Sequence, residues 1–187
     1  MRLFIAINLP SAERRAIAVA TAAMRKAARA VSWVNEERLH LTLEFLGEQP
    51  ESAVEPLRIA LAAVTRRHAP IALALKGLGA FPNLRAPRIV WMGVVPDPKL
   101  ELLQHDVALV CATLGYERQA RAFRPHITIG RARSPLEQRS ARALTAAARA
   151  VNYAGAPEAR TVDIMASQLL PSGPRYSVLA AVPLGEG

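Results

Sequence analysis

Two short stretches, "RLHLTLEFLG" from Arg38 and "RPHITIGR" from Arg124, each set a histidine two residues ahead of a threonine in an apolar, β-prone run. A strand built only for a core would carry valine or isoleucine at those positions. Residues i and i+2 of a strand share a face. His40 and Thr42 therefore face one way, with Leu41, Leu43 and Phe45 turned towards a core, while His126 and Thr128 share a face opposite Ile127 and Ile129. One such strand needs no function, because a solvated face tolerates both residue types. Two copies in the same order, each followed by a glycine (Gly47 and Gly130), ask for a shared purpose.

Two imidazoles facing one groove suit acid–base chemistry. With an unperturbed pKa of about 6.5, one can be neutral while the other holds a proton near neutral pH, and their mutual repulsion favours that state. Such a pair can take a proton from water on one side of a phosphorus and deliver one to the leaving oxygen on the other. The threonine hydroxyls can donate to non-bridging phosphate oxygens, and arginines add positive charge where negative charge develops. A metal would need a third or fourth convergent ligand. Neither motif carries HExxH spacing or a carboxylate pair, and Glu44, on the His40 face by alternation, is a lone carboxylate. No metal and no cofactor is expected.

The other candidate groups read as structural. A single cysteine, Cys111, excludes an internal disulfide and a cysteine-based zinc site; at helical spacing from Val107 and Leu114 it reads as a small buried hydrophobe. His68, in the last turn of a predicted helix, and His105, off an apolar stripe, lack a threonine partner and read as surface histidines.

The elements that must position the two motifs alternate strands with amphipathic helices. "LFIAINL" reads as a strand followed by a helix that Ser11 caps and that runs to about Ala30. The composition of that stretch also suits a transit peptide, but alanine and arginine abound along the whole chain, so a surface helix is expected. "VSWV" and "LHLTLEFLG" are strands, and Ser52 with Glu55 forms the capping box of a helix ending near Arg66 to His68. "IALALKGLGAF" and "RIVWMGVV" are two more strands. Asp97-Pro98 opens a helix with Leu100, Leu103, Val107, Val110 and Leu114 on one face, closed by Gly115. After "RPHITIG", Ser134 to Glu137 reads as a capped helix start, and "TVDIMASQLL" and "RYSVLAAVPL" as a closing hairpin around "PSGP". The strands lie too close together for a doubly wound sheet, so an α+β fold with largely antiparallel sheets is expected.

Each half holds a strand, a helix and then a His-x-Thr strand, and 126 less 40 leaves 86 residues between the histidines, near half of the 187-residue chain. That spacing suggests two related lobes, each giving one strand to a shared groove, within a single domain spanning residues 1–187. With 51% hydrophobic residues the chain is globular, and its apolar runs are too short to span a bilayer. "MRLFIAINLP" reads as the first strand rather than a signal peptide, so a cytoplasmic monomer without membrane attachment is expected. A net charge of +9 favours a polyanionic partner, nucleic acid first, although an arginine-rich bias would produce the same number.

The paired motifs "HLTL" and "HITI" resemble those of the 2H phosphoesterase superfamily, and more closely the bacterial RNA 2′,3′-cyclic phosphodiesterases, also called 2′-5′ RNA ligases. The resemblance runs nearly end to end, through "RLFIAINLP", "WVNEERLHLTLEFLGE", "GLGAFPNLRAPRIVWMGV", "FRPHITIGR" and "PSGPRYSVLAAVPL". It implies a bilobal α+β fold with both histidines in a central cleft. It also implies hydrolysis of 2′,3′-cyclic phosphate ends of RNA, or of cyclic nucleotides, to 2′-phosphates, and in some members reversible 2′-5′ joining. On that resemblance His40 donates a proton, His126 accepts one, and Thr42 and Thr128 hold the phosphate. Phe45 and Arg131, each five residues beyond its histidine, line the nucleotide and phosphate site. Strict alternation would turn both away from the groove, so a strand end or twist near Gly47 and Gly130 must re-aim them. The second motif reads "HITIGR" where "HLTLAR" is more usual, a mild change. Two other readings stay open: a non-catalytic basic RNA-binding module, and a phosphodiesterase for another cyclic or 2′-5′-linked nucleotide.

Overall fold

The computed structural model describes residues 1–170 and 173–186. It opens with β1 (Arg2–Asn8), helices α1 (Ser11–Ala20) and α2 (Ala22–Ala27), β2 (Val31–Trp33) and β3 (His40–Glu48). Helix α3 (Val54–Thr65), β4 (Ile71–Ala72), β5 (Leu75–Phe81) and β6 (Ile89–Val94) follow. The remainder is α4 (Pro98–Thr113), β7 (His126–Ala132), α5 (Gln138–Ala150), β8 (Ala154–Gly155), β9 (Glu158–Ala159), β10 (Thr161–Leu170) and β11 (Gly173–Pro183).

Among the described residues the main sheet runs β11-β10-β1-β3-β7-β6-β5-β8, with β2 added to β7, and its pairings are antiparallel. The α+β expectation holds. The two predicted sheets meet edge to edge through one residue pair, Leu41 with Ile127, which places both His-x-Thr strands at the centre. Alternation on β1 divides its side chains: Leu3, Ile5 and Ile7 join the large core, and Phe4 and Ala6 join Met165 and Tyr176 in a small cluster on the other face. The large core continues through Leu41, Met92 and Ile127 to Ile17, Leu61, Leu103 and Leu144 on the helices. Burying each such side chain contributes about 1.5–3 kcal/mol. Helices thus cover one face, and the histidine face stays open.

Several local expectations are corrected. The first helix breaks at Thr21, whose hydroxyl donates to the Ile17 carbonyl at 2.8 Å, and Ser11 lies inside α1 without capping it. The Ser52–Glu55 capping box does not form: Glu51–Ala53 is a 3-10 turn, and Glu55 instead binds Arg58 with contacts of 2.9 and 2.6 Å. Helix α5 begins at Gln138 without a side-chain cap. Asp97, by contrast, caps α4 as expected, accepting from the Lys99 and Leu100 amides. The stretch from Ile71 to Phe81 is two strands, because β4 leaves the main sheet to pair with β9. On α4, Leu100, Leu103, Val107 and Cys111 are buried, whereas Leu114 is exposed. Strands β10 and β11 form the closing hairpin, and Pro171 and Ser172 of its "PSGP" turn lie outside the described residues.

Candidate active site

The antiparallel pairing of Leu41 with Ile127 fixes the layout of the site. Both residues are fully buried, so their neighbours His40, Thr42, His126 and Thr128 are carried to the opposite, open face, all partly exposed. Antiparallel sense runs His40 towards the end of β7 that bears Thr128, and Thr42 towards the end that bears His126. Each histidine thus approaches the threonine of the other motif.

The imidazoles are held alike. His40 Nδ1 lies 2.7 Å from the Arg38 carbonyl oxygen, and His126 Nδ1 lies 2.7 Å from the Arg124 carbonyl oxygen. A carbonyl only accepts, so each Nδ1 carries the hydrogen, and each Nε2 is left to exchange a proton. An aromatic ring steadies each one: Phe81 stands edge-on to His126 at 5.1 Å, while Phe4 at 5.1 Å and Tyr176 edge-on at 5.5 Å flank His40. Sequence reasoning missed these supports. The carbonyl contacts are to backbone oxygens, which every residue carries, so residue type gave no signal for them.

Phe45 and Arg131 reach the same face through a β-bulge in each strand. Along β1, Ile5 opposes Glu44 and Ala6 opposes Thr42, so Leu43 is the extra residue; along β6, Val90 opposes Gly130 and Trp91 opposes Thr128, so Ile129 is extra. Each bulge reverses alternation three residues after its histidine. Phe45, counted with the core by strict alternation, is instead 52% exposed and lies 6.1 Å from Phe4 on the His40 side. Arg131 is exposed two residues after its own bulge. The re-aiming occurs at Leu43 and Ile129, ahead of the glycines. Gly130 has its own reason: a Cβ there would stand 2.7 Å from Val31 and 2.9 Å from Trp33 of the paired β2.

The same bulge corrects Glu44, which turns away from His40 and is buried facing α4. Gln104 of α4 donates to the Leu43 carbonyl and to Glu44 Oε2, both at 3.3 Å, and Gln119 donates to the Phe45 carbonyl at 3.3 Å. A bulge interrupts the strand ladder, and these glutamines bind carbonyls around it. Burial pushes the Glu44 carboxyl upward. His68 is also corrected: it is buried, with Nε2 3.0 Å from Asp106, whereas His105 is exposed as expected. Cys111 is buried, which pushes its thiol up to about 12 and makes it inert. Among the described residues no three His, Cys, Asp or Glu side chains converge on a point.

Burial pushes the His40 imidazole below its ordinary value, the positive charges of Arg131 and His126 push it further, and the bond to the Arg38 carbonyl opposes them. Removing the positive charge with Arg131→Met therefore raises the His40 pKa, and the protonated form persists to higher pH. The His40-dependent limb of the kcat/KM–pH profile is expected to move upward in that variant. An unmoved limb would show that Arg131 does not act on His40.

A sheet with His-x-Thr strands at its centre, helices on one face and both imidazoles on the other is the arrangement of the 2H phosphoesterases. The family model of the 2′-5′ RNA ligase superfamily matches residues 10–164, and the chain belongs to that superfamily. It is 37% identical over 184 residues to an RNA 2′,3′-cyclic phosphodiesterase of Geobacillus stearothermophilus, covering 97% of this chain and 56% of that one. It is 33% identical to the protein of that name from Thermus thermophilus, over 96% of this chain and 88% of the other. Among solved structures, TT0787 of Thermus thermophilus superposes with a TM-score of 0.82 at 30% identity over the full length of both chains. Escherichia coli LigT complexed with 3′-AMP superposes with a TM-score of 0.74 at 28% identity, covering 98% and 97% of the two chains. No described helix is long and apolar enough to cross a membrane.

Proposed function

We propose that the chain is an RNA 2′,3′-cyclic phosphodiesterase, a single domain of two pseudo-symmetric lobes acting as a cytoplasmic monomer. It hydrolyses cyclic phosphate ends to 2′-phosphates. One observation carries the reading: the same Nδ1–H to carbonyl bond, 2.7 Å in each motif, leaves two Nε2 atoms available on one face of the sheet. Family membership and the shared name of the relatives support the substrate.

The reaction balances on those two atoms. His126 Nε2 takes a proton from water as its oxygen attacks phosphorus. The bond from phosphorus to the 3′ oxygen breaks, and His40 Nε2–H protonates that oxygen as it leaves. The product carries a 2′-phosphate and a 3′-hydroxyl. Thr42 and Thr128 donate to the non-bridging oxygens, Arg131 balances the charge that builds on them, and Phe45 offers a ring for the base. In the free protein His40 holds its proton weakly, and the anionic phosphodiester raises its proton affinity on binding. With a 5′-hydroxyl in place of water, the same groups make a 2′-5′ linkage, reversibly.

The test is turnover of a 2′,3′-cyclic mononucleotide in EDTA, with the product chromatographed against authentic 2′- and 3′-nucleotides. The expected result is undiminished hydrolysis to the 2′-nucleotide. Binding without turnover would make the protein an RNA-binding module. A 3′-nucleotide would reverse the roles of the histidines, and activity lost in EDTA but restored by zinc or manganese would overturn the metal-free mechanism.

A further inference from the structure

We infer that a cavity beside His40 is a subsite for the nucleoside preceding the cyclic-phosphate end, and that it selects guanine. The inference rests on the function proposed above and adds a substrate preference to it. The cavity measures about 570 Å³, within the range of about 300–1,000 Å³ typical of small-molecule sites. In the β1–β3 register Asn8 lies opposite His40 and Phe4 opposite Phe45. Asn8, Leu9, Glu37 and Arg38 line the cavity and Phe45 does not, so it extends from His40 away from the Phe45 ring. A terminal nucleotide whose base lies on Phe45 and whose phosphate lies at His40 leaves this space for the next nucleoside of the strand.

The cavity wall includes a residue with a buried acceptor in want of a donor. Asp163 is 4% exposed and lines the cavity, and its Oδ2 accepts from Asn8 Nδ2 at 2.7 Å. Its Oδ1 is buried with no hydrogen-bond partner among the described residues. An unsatisfied buried oxygen is costly, and a ligand N–H would satisfy it. The neighbours of Asp163 in the sheet are Ala6 and Ala181, whose small side chains leave room around it. Tyr176 and Met165 supply wall for a base, and Arg14, Arg38 and Arg175 outnumber Glu37 around the opening, which suits a phosphate backbone. An ionised carboxylate only accepts. Guanine alone among the four bases sets two N–H donor groups, at N1 and N2, side by side. Adenine sets an acceptor beside its amino group.

The test compares kcat/KM for dinucleotides ending in a 2′,3′-cyclic phosphate, guanosine-first against adenosine-first, with a cyclic mononucleotide as the reference. The guanosine-first substrate is expected to lead by about tenfold, the scale of one hydrogen bond to a charged group. Asp163→Asn keeps the shape and replaces one acceptor oxygen with a donor, so the preference should collapse or invert. Val178→Trp, on a wall residue that is 53% exposed, should fill the space and lower the dinucleotide-to-mononucleotide ratio. Equal rates for the two dinucleotides, or wild-type ratios in both variants, would overturn the subsite. Titration with free guanosine, read by NMR on the Met165 methyl group, separates this inference from the activity on which it rests. Guanosine binding that Val178→Trp abolishes upholds the subsite even if the cyclic mononucleotide is not hydrolysed, and absence of binding refutes it.

Discussion

Replacing either His40 or His126 with alanine is expected to lower hydrolysis of a 2′,3′-cyclic mononucleotide by about 10² to 10⁴ while the fold persists. Each side chain stands on the open face, so its loss leaves no cavity in the core, unlike that of the fully buried Leu41 or Ile127 beside it. Leu41→Ala should cost about 2–5 kcal/mol of stability, against little for His40→Ala. The double variant should be far less than the product of the two single losses, because acid and base serve one transition state. His105→Ala is the control, since His105 is exposed and no described hydrogen bond or ion pair holds its side chain. His68→Ala is not, because that residue is buried against Asp106 and its loss would disturb the junction of α3 and α4. Rates near wild type in either motif variant would remove the histidines from the mechanism. Circular dichroism and thermal melting would show whether a lost rate reflects a lost fold.

The combined change Thr42→Val and Thr128→Val is expected to lower kcat/KM by about 10² or more, by removing two neutral donors to the phosphate. Valine keeps the β-branched shape, so strands β3 and β7 and the pairing of Leu41 with Ile127 should be retained. The single variants should each lose less than a histidine variant, because a hydroxyl stabilises charge without carrying the proton. If the donors act mainly on the charge that builds in the transition state, the loss falls on kcat; if they grip the ground-state diester equally, it falls on KM. An unchanged kcat/KM in the double variant would rule out the phosphate-binding role.

What could be read from the chain alone was local and periodic. A two-residue repeat set His40 beside Thr42 and His126 beside Thr128, opposite Leu41 and Ile127, because strand geometry admits no other arrangement. The cap at Asp97 was legible for the same reason, being settled within one turn of chain. The boxes at Ser52 and Ser134 failed because a capping residue also depends on how the chain enters the helix, and here a 3-10 turn and a proline-containing loop intervene.

Tertiary structure decided what depends on partners distant in sequence. Alternation holds only while every residue has an opposite number, and the extra residues at Leu43 and Ile129 can be recognised only against β1 and β6. Those bulges turned Phe45 and Arg131 to the site and Glu44 away from it. His68 was buried by Asp106, which lies 38 positions along the chain. Asp163 met Asn8 across 155 positions, beside a cavity that no spacing announces. The sequence alone paired each histidine with its threonine. Their common face required the single pair of Leu41 with Ile127, a contact whose register is set by the burial of both strands against one core.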